Sequence, residues 1–112
     1  MLTIDALNAL GADTKTGLAR CMDNEEFYLK MVRMCLEDDR YQKLPEAIKN
    51  GEIKQAFDYA HALKGTLGNV SLNSLLTPVT EITELARAEQ TDGYDEWLVK
   101  LKEEYEKLAA LL

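Results

Sequence analysis

Cysteine is scarce in this chain of 112 residues, which contains only Cys21 and Cys35. Two isolated cysteines provide neither a disulfide framework nor the clustered ligands that a zinc site needs. No group of basic residues lies near either one in the sequence to activate a thiolate. We therefore expect both to be small, buried apolar side chains.

Basic residues are also in the minority. Thirteen lysines and arginines face twenty aspartates and glutamates, so the formal net charge is −7. A surface of this sign disfavours broad contact with nucleic acid or with an anionic membrane. Neither is expected among the partners of this chain.

Long hydrophobic runs are absent. The opening segment, MLTIDALNALGADTK, has no basic stretch followed by an apolar one, as a secretory signal would have. No later segment approaches the length needed to span a bilayer. We therefore expect a cytoplasmic protein.

The sequence also lacks the signals of strands, since no stretch alternates apolar and polar residues and no hairpin turn separates β-branched runs. Apolar residues nevertheless make up 46% of the chain, enough to fill one core. The length suits a single domain, here residues 1–112. The predicted fold class is all-α.

Two short helices are predicted near the start. Thr3 is a candidate N-cap for the first, with Gly11 as its stop, and the second runs from about Asp13 to Cys21. Asp23 and Glu26 then occupy the positions of a capping box. The helix that they open has an apolar face predicted to contain Phe27, Met31, Met34 and Cys35, widened by Val32 and Leu36.

Further helices are predicted downstream. A connection with at most a short helix surrounds Pro45 and the pair Asn50-Gly51. A long helix from about Glu52 to Gly68 follows, and Ser71 or Asn73 caps the next, in which Pro78 should produce a kink. The last amphipathic helix runs from Tyr94 to Leu112.

Four long amphipathic helices bury their apolar stripes most simply by packing together. The predicted architecture is therefore an antiparallel four-helix bundle with short additional N-terminal helices.

The stretch AHALKGTLGNV, residues 60–70, contains the only histidine, His61. On a helical wheel this residue falls about a third of a turn from the apolar stripe, on the flank that faces solvent. The same exposed side is predicted to carry Lys54, Asp58, Gly65 and Gly68. Lys64 lies between that side and the buried stripe, one turn beyond His61.

Two glycines in this helix need a physical reason, because each costs about 1 kcal/mol relative to alanine in a helix interior. Gly68 has two interpretations of equal weight: it ends the helix, or it leaves the surface beside His61 open. Gly65 is followed by Leu67, which continues the apolar stripe, so it does not end the helix. We interpret the glycines near His61 as room for the approach of another protein.

This stretch resembles the His-x-Leu-Lys-Gly signature of histidine-containing phosphotransfer (HPt) domains, which His61, Leu63, Lys64 and Gly65 match. The order of helices resembles that family over almost the whole chain. Two departures occur: Ser71 stands where the family usually has glycine, and Pro78 intrudes in the following helix.

The resemblance implies that His61 accepts a phosphoryl group from the aspartyl phosphate of a response-regulator receiver domain and passes it to another receiver. Lys64 would stabilise the phosphoryl charge, and Lys54, Asp58, Gly65 and Gly68 would form the partner surface, with apolar residues of the first helix as an exposed rim. A hybrid sensor histidine kinase is a second candidate partner, and the chain is expected to be a monomer. We expect no metal or cofactor on this chain, since the Mg²⁺ should belong to the receiver. The sequence has no phosphate-binding loop, so the chain would relay phosphoryl groups rather than act as an ATP-dependent kinase.

Two alternatives remain. His61 would be an ordinary surface residue if the chain were a non-catalytic helical-bundle interaction module. Asp58 and His61 also have the carboxylate-x-x-His spacing of di-iron carboxylate bundles, although such sites need a second motif and no other histidine exists.

Overall fold

The computed structural model describes all of residues 1–112 and contains seven helices and no strand, which confirms the predicted all-α class. Their bounds are α1 Ile4–Ala9, α2 Thr14–Arg20, α3 Glu25–Leu36, α4 Arg40–Lys49, α5 Ile53–Val70, α6 Asn73–Arg87 and α7 Asp95–Ala109.

Helix α5 lies at the centre of the packing. Its most extensive partner is α6, and it also contacts α2, α3 and α4, while α7 packs on α6. Tyr105 joins α7 to the rest of the bundle. Its ring centroid lies 4.4 Å from that of Tyr41, and its hydroxyl donates to the Leu36 carbonyl oxygen at 2.8 Å. The helical bundle with extra short helices is thus confirmed.

The sequence of α5 explains its position. Its buried residues recur every three or four positions and so form one continuous stripe. All of them are almost completely inaccessible to solvent: Ala56, Ala60, Leu63, Leu67 and Val70. One side of α5 is thereby fixed against the core, and the opposite side is left at the surface.

The end of α5 differs from the sequence prediction that gave Gly68 as one possible stop. The helix continues to Val70, and Ser71 is its C-cap in a left-handed conformation with φ of 56°. Arg20 donates to the Gly68 carbonyl oxygen and, at 3.1 Å, to Ser71 Oγ, while the Tyr28 hydroxyl donates to the Val70 carbonyl oxygen at 2.8 Å. These donors from α2 and α3 add to the Ser71 backbone N–H, which also donates to the Gly68 carbonyl oxygen, in capping the last turn of α5.

Helix α3 corrects two further predictions. Its N-cap is Asn24, whose side chain accepts from the Phe27 backbone N–H at 3.0 Å, so the capping box predicted for Asp23 and Glu26 is wrong. The buried face is also rotated, because Phe27 and Met34 are 48% and 57% exposed. The residues that face the core are Tyr28, Val32, Cys35 and Leu36.

Both prolines lie inside helices. Helix α4 runs through Pro45 for ten residues, although a connection with at most a short helix was predicted there. Helix α6 likewise continues through Pro78, which is buried. The N-cap of α6 is Leu72 without a side-chain hydrogen bond, so the prediction of Ser71 or Asn73 as its cap is wrong.

The two cysteines are free and buried, as predicted. Burial raises the pKa of the Cys35 thiol, which lies 3.7 Å from the Tyr41 hydroxyl oxygen and from Thr66 Oγ1. Among the seven helices, none combines the length and apolar character of a membrane-crossing segment.

Candidate functional site

His61 lies in the middle of α5 on its exposed side, as the helical wheel predicts. Neither imidazole nitrogen makes a hydrogen bond or an ion pair within the chain. The only ring that packs against it belongs to Phe57, one turn earlier: the two rings are 11° from parallel and their centroids are 5.4 Å apart. Stacking therefore restricts the imidazole, while both nitrogens remain available for chemistry.

The glycines form an open strip beside His61. Gly65 is exposed and Gly68 half-buried, and both lie inside α5. A Cβ atom placed on either would have no neighbour within 4 Å. No packing inside the chain accounts for the two glycines, and their interpretation as room for an approaching molecule stays a prediction.

Lys64 and Arg87 supply positive charge on the side of α5 that faces α6. Lys64 Nζ lies 3.8 Å from Oε1 of Glu84, and the other oxygen of this carboxylate lies 3.3 Å from Arg87 Nε. The Arg87 guanidinium also lies 5.0 Å from the centroid of the Phe57 ring, within the range of a cation–π contact. One carboxylate therefore holds both cations, and one of them contacts the ring that stacks on His61.

Lys54 and Asp58 lie on the exposed side of α5, toward its N-terminus. Together with Phe57, Arg87 and Glu89 they line an open groove of about 580 Å³ between α5 and α6. The groove adjoins the stacked pair, because Phe57 belongs to both. All six predicted residues are thus on the accessible part of α5, with Lys64 half-buried at its edge.

An apolar surface lies on α3. Met31 and Met34 of this helix line a shallow depression with Thr66 and Asn69 of α5. Since Thr66 directly follows Gly65, this apolar surface borders the glycine strip. In α1, Leu7 is fully buried while Ile4 and Leu10 are half-buried, so an apolar rim on that helix stays a prediction.

Three residues of the site were missed by sequence reasoning: Phe57, Glu84 and Arg87. Phe57 lies four residues before His61 on a helix, a spacing that could have revealed the stacking. Glu84 and Arg87 gave no local signal, because their proximity to Lys64 and Phe57 depends on how α6 packs on α5. The chain contains no group of three or more His, Cys, Asp or Glu side chains that could hold a metal ion.

The sequence of this chain matches a known protein family. A family model described as Hpt domain matches residues 30–111, well over half of the chain. Neither the curated proteins nor the solved structures give a match. The matched segment includes α4 to α7 and therefore His61, Lys64 and Gly65. The chain belongs to the Hpt domain family, whose members are phosphotransfer carriers of two-component signalling rather than kinases.

Proposed function

We propose that this chain accepts a phosphoryl group on His61 from the aspartyl phosphate of a receiver domain and passes it to another receiver. In the first step an imidazole nitrogen bonds to phosphorus as the P–O bond of the acyl phosphate breaks, and the aspartate leaves as a carboxylate. Transfer to the second receiver is the reverse exchange with a different aspartate. A hybrid sensor histidine kinase fits as the protein that carries one of these receivers.

The observation that carries this proposal is the unobstructed His61 ring beside the empty space over Gly65. Phosphoryl transfer depends mainly on positioning and on neutralisation of charge. The Phe57 stack supplies positioning, and Lys64 supplies charge one turn away. Mg²⁺ is expected on the acidic site of the receiver and not on this chain.

The receiver-binding surface is centred on His61 and the glycine strip. Lys54 and Asp58 extend it along the groove at one end of α5, and Met34 with Met31 extends it across α3. Lysines among these residues would orient an acidic receiver, while the net charge of −7 would weaken other encounters. The chain is proposed to do this as a monomer.

The experiment is phosphoryl transfer from a receiver domain that has been labelled with radioactive acetyl phosphate. Wild-type protein should become labelled, and the label should show the acid lability and alkali stability of phosphohistidine. His61→Gln should take up no label while keeping its helical circular dichroism. Equal labelling of the variant would refute the proposal, and receiver binding without any labelling of the wild type would favour the interaction module.

A further inference from the structure

Glu84 pairs with two cations of the candidate site, Lys64 and Arg87. Its two carboxylate oxygens are divided between them, with Oε1 at 3.8 Å from Lys64 Nζ and Oε2 at 3.3 Å from Arg87 Nε. The three charged groups together carry one net positive charge instead of two. In this arrangement neither cation is free to serve a phosphoryl group without first leaving the carboxylate.

A phosphoryl group on His61 would compete strongly for the same cations. It brings a charge of about −1.5 to −2 and three acceptor oxygens, whereas Glu84 brings a single negative charge. Lys64 lies one helical turn from His61, where Cβ atoms are about 5–6 Å apart. Arg87 lies against Phe57, and Phe57 lies against His61. The exchange of one anion for the other requires both long side chains to rotate away from Glu84 and toward His61.

The strength of the existing ion pairs makes this exchange feasible. The side chains of Lys64, Glu84 and Arg87 are 37%, 52% and 52% exposed. Exposed ion pairs change an equilibrium constant by at most about fivefold. Such pairs are strong enough to change the stability of the phosphohistidine measurably, and weak enough for the phosphoryl group to break them.

We infer that Glu84 competes with the phosphoryl group on His61 for Lys64 and Arg87, and thereby destabilises the phosphohistidine and favours onward transfer. This role is a positioning role, since Glu84 acts through the two cations, and it rests on the proposed function of His61. This role would explain why an acidic residue lies beside a site that binds an anion.

The first test is the phosphoryl partition at equilibrium between this protein and a receiver that labels it. Glu84→Gln should shift the equilibrium toward the phosphohistidine by about two- to fivefold, the range of exposed ion pairs. Glu81→Gln is the matched control, because Glu81 is an exposed residue of the same helix without an ion pair. An equal shift in both variants, or none in Glu84→Gln, would overturn the inference.

The second test separates competition from simple repulsion. In a Lys64→Met, Arg87→Met background, Glu84→Gln should no longer shift the partition. A shift that persists there would come from direct repulsion between carboxylate and phosphoryl group and would contradict the proposed competition. Thermal unfolding of every variant checks that the fold is retained.

A third measurement needs no receiver. Phosphoramidate phosphorylates His61 directly, since the imidazole nitrogen replaces ammonia on phosphorus and the leaving ammonia takes up a proton. The second ionisation of the resulting phosphoryl group, followed by ³¹P NMR, should occur at lower pH in Glu84→Gln, because the freed cations favour the dianion. If this pKa falls but no receiver labels the wild type, the proposed function fails and only the competition of Glu84 for the two cations stands. If receivers label the wild type but Glu84→Gln changes neither quantity, only the role of Glu84 fails.

Discussion

The ring of Phe57 lies almost parallel to the imidazole of His61, with 11° between their planes. No hydrogen bond orients this imidazole, so the stack is its main restraint. Phe57→Ala should slow labelling of His61 by about two- to tenfold, the factor that corresponds to one aromatic pair. Receiver-dependent labelling rates measure the effect. Phe57→Tyr keeps the stack and is the control, and a wild-type rate in Phe57→Ala would show that the ring does not position His61.

Lys64 is expected to contribute charge to transfer and little to stability. Lys64→Ala removes an exposed ion pair that is 3.8 Å long, so the melting temperature should change little. Labelling of His61 should fall about tenfold through the loss of a charge-assisted contact with the phosphoryl oxygens. Lys102→Ala removes an equal charge from α7 and should transfer normally. Loss of helical signal in Lys64→Ala would contradict the predicted role.

Gly65 should show opposite effects on stability and on transfer. Since nothing lies within 4 Å of an added Cβ, Gly65→Ala should raise the free energy of unfolding by about 0.5–1 kcal/mol. The same methyl group should impede the receiver, and the longer side chain of Gly65→Gln should impede it more. Chemical denaturation and labelling rates measure the two effects. Wild-type transfer by Gly65→Gln would refute the idea that the glycine provides access.

Ser71 adopts a left-handed conformation that glycine tolerates better than any other residue. Ser71→Gly and Ser71→Ala both lose the contact with Arg20, but only glycine relieves the backbone strain. Ser71→Gly should therefore be more stable than Ser71→Ala by about 1 kcal/mol. Urea unfolding of the pair measures the difference. Equal stability would mean that the surrounding structure removes the strain.

Tyr28 should make the domain sensitive to alkali. Burial raises the pKa of Tyr28 from 10.0 to about 12, with smaller contributions from Cys21 and Asp13. A tyrosine with a raised pKa stabilises the fold while it is protonated, so this contribution is complete below about pH 10 and is lost as the pH rises through 12.

The variant Tyr28→Phe isolates this contribution. It should lose about 1–2 kcal/mol at neutral pH, because the Val70 carbonyl loses its donor. Its stability should then fall less steeply than that of the wild type between pH 10 and pH 12. Parallel curves for the two proteins would show that the phenol does not titrate in this range.

The sequence predicts α5 and the exposure of His61 well because both depend on periodicity within one helix. The end of α5 was less predictable, since one donor to Gly68 is Arg20 of another helix. The same holds for Tyr28, which is buried although it is polar because its hydroxyl reaches the Val70 carbonyl. Local patterns do not reveal partners that are distant in the chain.

The candidate site also contains both residues that local patterns predict and residues that they do not. His61, Lys64 and Gly65 could be assigned from their spacing on one helix and from the family signature. Glu84 and Arg87 could not, because only the packing of α6 against α5 brings them to the site. The exposure of Met34 could not be predicted either, because the rotation of α3 about its axis depends on tertiary contacts.

The hydrogen bonds from Arg20 and Tyr28 to the last turn of α5 limit how far this domain can be truncated from its N-terminus. Both donors precede residue 30, at which the family match begins. A shortened protein that starts there would keep every residue proposed to handle the phosphoryl group, yet it would release the final turn of the helix that carries them. The minimal stable fragment therefore has to include α2 and the first turn of α3.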